Sequence, residues 1–228
     1  MPAKTRPESV LLARDSEVLS ALLNQFSRPG AMILDTTAGL RRMWSRVDHM
    51  PAPVFLDSDP ALKPDVVGSF LALPFEPDTF DVIVFDPPHL PAAAASPLAM
   101  QGVSGYDFGL AQGTKGNNNS VWFPVVLAEV RRVLRPEGVL FAKIKDFVHN
   151  HAYQWSTVDF VNAVRATEGL TACDHWIKRD PCGGNLKSGR WVASHHARVC
   201  HCSWIVVRKG RCEPRPVSRT ARSFRRPR

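Results

Sequence analysis

The sequence predicts an α/β fold, in which a mostly parallel β-sheet carries helices on both of its faces. Short apolar runs alternate along the 228 residues with segments whose apolar residues recur at helical spacing. Three of these runs end on an aspartate, and the carboxyl ends of parallel strands are where such sheets bind ligands. The length, with 44% hydrophobic and 22% charged residues, predicts one globular domain.

Two helices and four strands are predicted in the first half of the chain. The apolar positions of residues 16–26 recur at helical spacing, and Pro29 with Gly30 ends that helix. The clearest strand, residues 80–86, is a run of β-branched and aromatic residues that stops at Pro87. The full set is helices over 16–26 and 41–47 and strands over 31–35, 54–57, 66–67 and 80–86.

The second half begins with a long segment that has no periodicity. Residues 90–120 are rich in Ala, Gly, Ser and Asn, and we expect them to form a mobile substrate loop. No helix separates the last two predicted strands, so we expect them to pair antiparallel at one edge of the sheet. The predicted elements are helices over 121–134 and 158–167 and strands over 139–144, 170–176 and 199–207.

The net charge of +8 lies entirely at the C-terminal end of the chain. Residues 208–228 hold nine Lys or Arg and one Glu, whereas residues 1–207 hold 20 basic and 20 acidic residues. We therefore expect a neutral domain over 1–207 and a basic tail over 208–228 without fixed structure. Such a tail binds nucleic acid by counterion release, and a tail that only confers solubility is the alternative.

The sequence also bears on compartment and metal binding. No apolar run approaches the ~18 residues that a membrane helix needs, and residues 1–18 lack a secretory signal pattern. We expect a cytoplasmic protein with no membrane partner and with its five cysteines reduced. The spacing of the cysteines and histidines matches no standard zinc pattern, so no metal site is predicted.

Two acids at strand ends are candidate ligand-binding residues. Asp57, followed by Ser58, lies where an acid takes the two hydroxyls of a ribose, and a capping or turn role is the alternative. Asp35 precedes a turn of small residues, which would let a ligand approach the backbone closely. That turn consists of Thr36, Thr37, Ala38 and Gly39.

A rigid bracket follows the clearest strand. It consists of Asp86, Pro87, Pro88 and His89. Each proline fixes its own φ and holds the preceding residue extended, so the Asp86 carboxylate and the Pro87 carbonyl can point toward one place. Two fixed acceptors suit a ligand that donates two hydrogens, such as an exocyclic amino group. The alternative is an acid that closes a strand beside an ordinary Pro-Pro turn.

Five segments resemble class I S-adenosylmethionine-dependent methyltransferases, and they occur in that family's order: residues 33–39, 54–57, 73–75, 80–89 and 130–140. The tetrapeptide that ends at His89 is similar to the Asp/Asn-Pro-Pro-aromatic motif of amino-methyltransferases, which methylate base nitrogens in DNA or RNA. The resemblance implies a Rossmann-like, doubly wound, mostly parallel seven-stranded sheet with an antiparallel edge strand. It also implies S-adenosylmethionine as the cofactor.

The resemblance further implies roles for matching positions. Residues 35–39 would face the methionine part of the cofactor, and Asp57 would bind its ribose. The positions along the adenine would be Ser69, Phe70 and Leu71. The Asp86 carboxylate and the Pro87 carbonyl would accept hydrogen bonds from the target amine, with His89 stacked on the base. The sequence departs from the family in having one glycine in the first loop and Ser69 where Asp is frequent.

Four further residues are candidate substrate contacts. Tyr106 and Phe108 of the substrate loop would close over the base, with ordinary packing as the alternative. Lys143 and Lys145 alternate near the end of a predicted strand, so both would face one groove unless Asp146 pairs with one of them.

Three functions remain open from the sequence. The first is N-methylation of a base amino group in nucleic acid, bound through the pocket and the basic tail. DNA adenine-N6 or cytosine-N4 is favoured, RNA is close behind, and a protein partner would supply target recognition. The second is methylation of a small molecule, which the neutral body favours. The third is a nucleic-acid-binding module with no catalytic activity.

Overall fold

A computed structural model describes residues 8–47, 52–87, 122–149, 152–179 and 199–212. Eight strands form one sheet in the order β1-β9-β10-β6-β5-β2-β3-β4, and β7 and β8 form a separate hairpin. The helices are α1 (Asp15–Phe26), α2 (Phe123–Val133) and α3 (Ser156–Ala166). The strands are β1 (Val10–Leu12), β2 (Ile33–Asp35), β3 (Val54–Asp57), β4 (Val66–Val67), β5 (Phe80–Phe85), β6 (Leu134–Ile144), β7 (Phe147–His149), β8 (Ala152–Gln154), β9 (Leu170–Arg179) and β10 (His201–Lys209).

The strand pairing confirms the predicted fold class, a mostly parallel sheet in a mixed α/β domain. Strands β4, β3, β2, β5 and β6 are successively parallel, and β10 runs antiparallel to both β6 and β9. Two details differ from the prediction. The sheet gains an eighth strand because β1 pairs parallel with β9, and the antiparallel strand β10 lies inside the sheet instead of at its edge.

Helices cover both faces of the sheet, as the alternating elements predict. Helix α1 contributes to one apolar cluster, with inward side chains such as Leu19 and Leu22 packed against Phe141 and Val206 of the sheet. Helices α2 and α3 contribute to the cluster on the opposite face, which includes Phe123 and Phe160. Consecutive side chains of the central strands enter opposite clusters, so these strands are apolar on both faces and read as continuous apolar runs.

Several predicted boundaries are corrected by the structure. The helix predicted over 41–47 is only a 3₁₀ segment, Arg42–Trp44, beside a left-handed Arg41. Strand β6 begins at Leu134, directly after α2, because Leu134 already pairs with Phe80. Strand β10 continues to Lys209, so the first two residues assigned to the basic tail belong to the sheet. Within the described residues, no helix is long and apolar enough to span a membrane.

The strand directions decide where the candidate residues lie. Strands β2, β3, β5 and β6 are parallel, so their carboxyl ends meet at one edge, which we call the carboxyl edge. Asp35, Asp57 and Asp86 end or directly follow three of these strands, and Lys143 is the penultimate residue of the fourth. Because β10 is antiparallel to β6, it ends at the opposite edge.

Candidate active site

Asp35 is enclosed at the end of β2. Its side chain has no exposed surface, and it accepts hydrogen bonds from the Trp44 indole Nε1 (2.7 Å) and the Thr37 backbone N–H (3.0 Å). Burial raises its pKa from 3.8 to about 6; the two hydrogen bonds oppose this rise, and the charges of Asp86 and Asp57 add to it. Asp35 therefore stabilises the turn that follows it, through its hydrogen bond with the Thr37 N–H.

The turn after Asp35 connects three strands at the carboxyl edge. Thr36 donates from its backbone N–H and its hydroxyl to the Val84 carbonyl of β5, both at 3.0 Å. On the other side, Ala38 N–H donates to the Leu56 carbonyl of β3, also at 3.0 Å. Thr37 Oγ1 accepts from the Asp86 N–H at 2.8 Å. The small side chains noted in the sequence thus belong to a fixed turn between β3 and β5.

Asp57 lies against the same turn. It is 8% exposed, its Oδ2 accepts from the Gly39 N–H (2.8 Å), and its Oδ1 accepts from the Asp59 N–H (3.0 Å). Asp57 therefore has the turn role given above as the alternative to ribose binding, because its carboxylate accepts from the N–H two residues later. The same bonds fix the carboxylate beside the turn of residues 36–39, and Ser58 next to it is exposed.

Asp86 is held from two directions. Its backbone N–H is bound by Thr37, and its Oδ2 accepts from Lys143 Nζ at 2.9 Å. Its side chain is 19% exposed, and Pro87 after it is buried. Of the other predicted contacts, Pro88, His89, Tyr106 and Phe108 lie outside the described residues, so their roles stay predictions.

Lys143 belongs to a chain of alternating charges. Its Nζ also donates to Asp15 Oδ2 at 3.2 Å, and the other oxygen of Asp15 accepts from Lys178 Nζ at 3.0 Å. Burial lowers the pKa of Lys143, but the charges of Asp86 and Asp15 outweigh burial and leave it above its usual range. Lys143 is thus a charged internal residue next to Asp86, whereas Lys145 lies beyond β6 and is half-buried.

The segment predicted to lie along an adenine has mixed surroundings. The Phe70 ring is buried and packs on Phe85 and Trp122, with ring centroids 5.4 and 5.5 Å away. Ser69 Oγ accepts from the Leu71 N–H at 3.1 Å and so closes a local turn. The side chain of Phe70 therefore contributes to the core, and Ser69 and Leu71 are half-buried beside it.

The structure thus brings together Asp35, the turn of residues 36–39, Asp57, Asp86 and Lys143 at one edge. Sequence reasoning missed two of their partners, Asp15 and Trp44. Asp15 is an acid in the first turn of a helix, which is common without any ligand, and nothing in the sequence marks its contact with Lys143. No group of His, Cys, Asp and Glu in the described ranges is arranged to hold a metal ion.

Comparison with known proteins bears on the fold. No protein-family model and no curated protein matches the sequence. A chain of the complex between the Haloferax volcanii Trm112 methyltransferase activator and a methyltransferase is similar, with a TM-score of 0.54 at 16% identity, over 86% of this chain and 90% of that one. The Burkholderia thailandensis 1,6-didemethyltoxoflavin-N1-methyltransferase, solved with S-adenosylhomocysteine, has a TM-score of 0.50 at 17% identity, over 86% and 77%.

The chain has the fold of the S-adenosylmethionine-dependent methyltransferases. The [4+2]-cyclase SpnF shares this fold, with a TM-score of 0.56 at 12% identity, over 86% of this chain and 81% of that one. A fold that carries both reactions does not by itself assign one. The reaction of this protein therefore depends on its own site residues.

Proposed function

We propose that this protein is an S-adenosylmethionine-dependent N-methyltransferase that acts on the exocyclic amino group of a base in nucleic acid. The observation that carries the proposal is the geometry at Asp86. Its carboxylate lies directly beyond β5, fixed by Lys143, and its N–H is bound by Thr37 of the turn that precedes Asp57. A fixed acceptor for an amine therefore lies beside a turn that suits the cofactor.

The residues of the carboxyl edge fit S-adenosylmethionine. Asp57 is an anchored carboxylate, and a carboxylate accepts several hydrogen bonds, so it suits the two hydroxyls of a ribose. Among the described residues, an added Cβ at Gly39 would meet only the Thr37 carbonyl, at 3.9 Å, so these residues leave the backbone at Gly39 accessible to a ligand. When bound there, the cofactor would supply an activated methyl group on a sulfonium.

Asp86 and Pro87 would act on the acceptor amine. The lone pair of an aromatic amine is delocalised into the ring, so the nitrogen is a poor nucleophile. Hydrogen bonds from its two N–H groups to the Asp86 carboxylate and the Pro87 carbonyl favour a more pyramidal, more reactive nitrogen. Alignment of reacting groups contributes about 7–11 kcal/mol in favourable systems, and the bracket after β5 serves that alignment. A base in a duplex would have to be flipped out to reach it.

Nucleic acid is the proposed substrate class for two reasons. The Asp86 tetrapeptide resembles that of the enzymes that methylate bases, and residues 210–228, beyond the end of β10, carry seven arginines. DNA is favoured slightly over RNA because Asp-Pro-Pro is frequent among DNA enzymes. A protein partner is proposed to supply target recognition, and the similar Haloferax chain comes from a complex that contains a methyltransferase activator.

Methyl transfer into defined acceptors tests the proposal. The protein would be incubated with labelled S-adenosylmethionine and unmethylated DNA, total RNA or a metabolite extract, followed by mass analysis of the nucleosides. We expect label in N6-methyladenine or N4-methylcytosine. Asp86→Ala should lower the rate about 100-fold or more, the usual effect of removing one aligned polar group. Asp86→Asn, the other residue of the family motif, should retain part of the activity.

Other outcomes would overturn the substrate assignment. The second candidate function is methylation of a small molecule, which is favoured by the equal numbers of basic and acidic residues in 1–207. Label confined to metabolites would establish that candidate instead. Binding of nucleic acid without any transfer would indicate a module with no catalytic activity. A fully active Asp86→Ala protein would contradict the proposed role of Asp86.

A further inference from the structure

Two lysines are buried next to each other on the α1 face of the sheet. Lys178 of β9 is 4% exposed, and the side chain of Lys143 of β6 is 13% exposed. Both donate to the same carboxylate, that of Asp15 in the first turn of α1. Lys143 also donates to Asp86, so a continuous chain of contacts links Lys178, Asp15, Lys143 and Asp86.

Burying these charged side chains costs desolvation free energy. A buried ion pair recovers only part of the desolvation cost of its charges, and apolar side chains of similar volume are often at least as stabilising. Here the chain joins residues 128 and 163 positions apart in sequence and lies at the carboxyl edge. The Cys202 thiol beside the lysines adds no charge, because burial raises its pKa to about 11, although Lys143 and Lys178 partly oppose the rise.

We propose that Lys143 is a positioning residue for Asp86, and that Asp15 holds Lys143 in place from helix α1. The inference rests on the proposed function, because it assigns a role to the group that orients the proposed amine acceptor. Lys143 Nζ binds one oxygen of the Asp86 carboxylate, while Thr37 binds the Asp86 N–H, so both side chain and backbone are fixed. Lys143 is then an internal support, not the substrate contact that its sequence position suggests.

The two contacts of Lys143 have different consequences. The bond to Asp86 sets the orientation of the carboxylate, and the bond to Asp15 prevents the long lysine side chain from turning away. A displacement of about 1 Å at a reacting group can cost roughly 100-fold in rate. The affinity for S-adenosylmethionine depends on other residues, so the loss should appear in kcat and leave KM for S-adenosylmethionine nearly unchanged.

Substitution of Lys143 with a matched control tests the proposal. Lys143→Met should lower kcat 10- to 100-fold, on the order expected for a misplaced reacting group, and Lys143→Arg should restore part of it. Lys209→Met is the control, because Lys209 also lies in the sheet and bonds Asp78 (2.6 Å), but at the opposite edge. The control should keep the wild-type kcat. If Lys143→Met folds and transfers methyl groups at the wild-type rate, the proposal is wrong.

A second variant and a readout that needs no activity complete the test. Asp15→Asn preserves the shape of the side chain and should lower kcat less than Lys143→Met does. In ¹H–¹⁵N spectra of lysine ammonium groups, Asp86→Asn should shift the Lys143 signal and leave the Lys209 signal unchanged. An unshifted Lys143 signal would overturn the inference. If Asp86→Asn shifts the Lys143 signal but the wild-type protein transfers no methyl group, the proposed function is wrong and the contact between Lys143 and Asp86 stands.

Discussion

At the scale of single residues, Asp35 fixes the turn at the carboxyl edge but lowers the stability of the folded state at neutral pH. The carboxylate is fully buried, and among the described residues its hydrogen-bond donors are Trp44 and Thr37, which do not offset the cost of burial, so its pKa rises from 3.8 to about 6. Because the folded state binds this proton more tightly than the unfolded state, Asp35 makes folding less favourable as the pH rises through that window. The turn at the site is thus held by a group that opposes folding at neutral pH.

The pH dependence of stability tests this account. Between pH 4 and pH 7, the free energy of unfolding of the wild type should fall relative to that of Asp35→Asn by about 2 kcal/mol, most of the effect of a pKa raised from 3.8 to about 6. Urea unfolding at several pH values measures the difference. Trp44→Phe, which removes the indole donor and keeps the acid, should make the fall steeper. A difference between wild type and Asp35→Asn that stays constant across this range would contradict the raised pKa.

At the scale of elements, the register of β6 decides where Lys143 lies. Leu134 pairs with Phe80, but the next pair joins Val139 to Val82, so the chain makes an irregular step between the two pairs. The step consists of residues 135–138, and it includes Glu137 at φ 62° followed by Gly138. A Cβ at Gly138 would lie 2.8 Å from the Arg135 carbonyl, which leaves no space for a side chain. The bulge therefore depends on this glycine.

Substitution of Gly138 should destabilise the protein through this contact. We expect Gly138→Ala to lower the free energy of unfolding by about 1–3 kcal/mol, because the added methyl group overlaps backbone atoms that cannot move aside. Gly68→Ala is a matched control, since its Cβ would meet side-chain atoms of Leu56 and Pro74 at 3.3 and 3.4 Å. Urea unfolding of both variants measures the difference. Equal losses would show that backbone overlap at Gly138 is not the cause.

At the scale of the whole molecule, the basic tail and the candidate site begin at opposite edges of the sheet. Strand β10 ends at Lys209, whose Nζ donates to the Leu134 carbonyl at the start of β6 (2.7 Å). Lys143 lies about 20 Å further along the sheet at the usual rise of a strand, because β6 makes an irregular step at residues 135–138 and β5 covers the same distance in about six residues. The 16 residues from 213 to 228 could span at most roughly 55 Å, so a tail that begins at the opposite edge could still contact a nucleic acid bound at the carboxyl edge.

Removal of residues 213–228 should separate binding from chemistry. The truncation deletes six arginines and one glutamate, so affinity for nucleic acid should fall. The logarithm of affinity falls with the logarithm of salt concentration, and the magnitude of this slope should decrease by about 4 for single strands or about 5 for duplex. The value of kcat at saturating substrate should not change, because the truncation removes none of the residues that the proposal places at the reacting groups. Filter binding at several salt concentrations and steady-state kinetics measure both effects. A large loss of kcat would place the tail at the active site.

The fold class and the three acidic strand ends are predictable from the amino-acid sequence alone. Those predictions depend on local pattern, because apolar runs and helical spacing report which faces are buried. The predicted strands over 170–176 and 199–207 end before β9 and β10 do, because the sheet continues through polar residues such as Lys178 and Arg208. Pairing with neighbouring strands, which the sequence pattern does not report, keeps these residues in the sheet.

The contacts that support the site are visible only in the folded protein. The contacts of Asp86 with Lys143, and of Lys143 with Asp15, join residues 57 and 128 positions apart, and no periodicity links such positions. The interior place of β10 likewise depends on which strands pair. Local pattern determines which segments become strands and which residues end them. Long-range packing determines which charges meet, because that depends on how the whole chain folds back on itself.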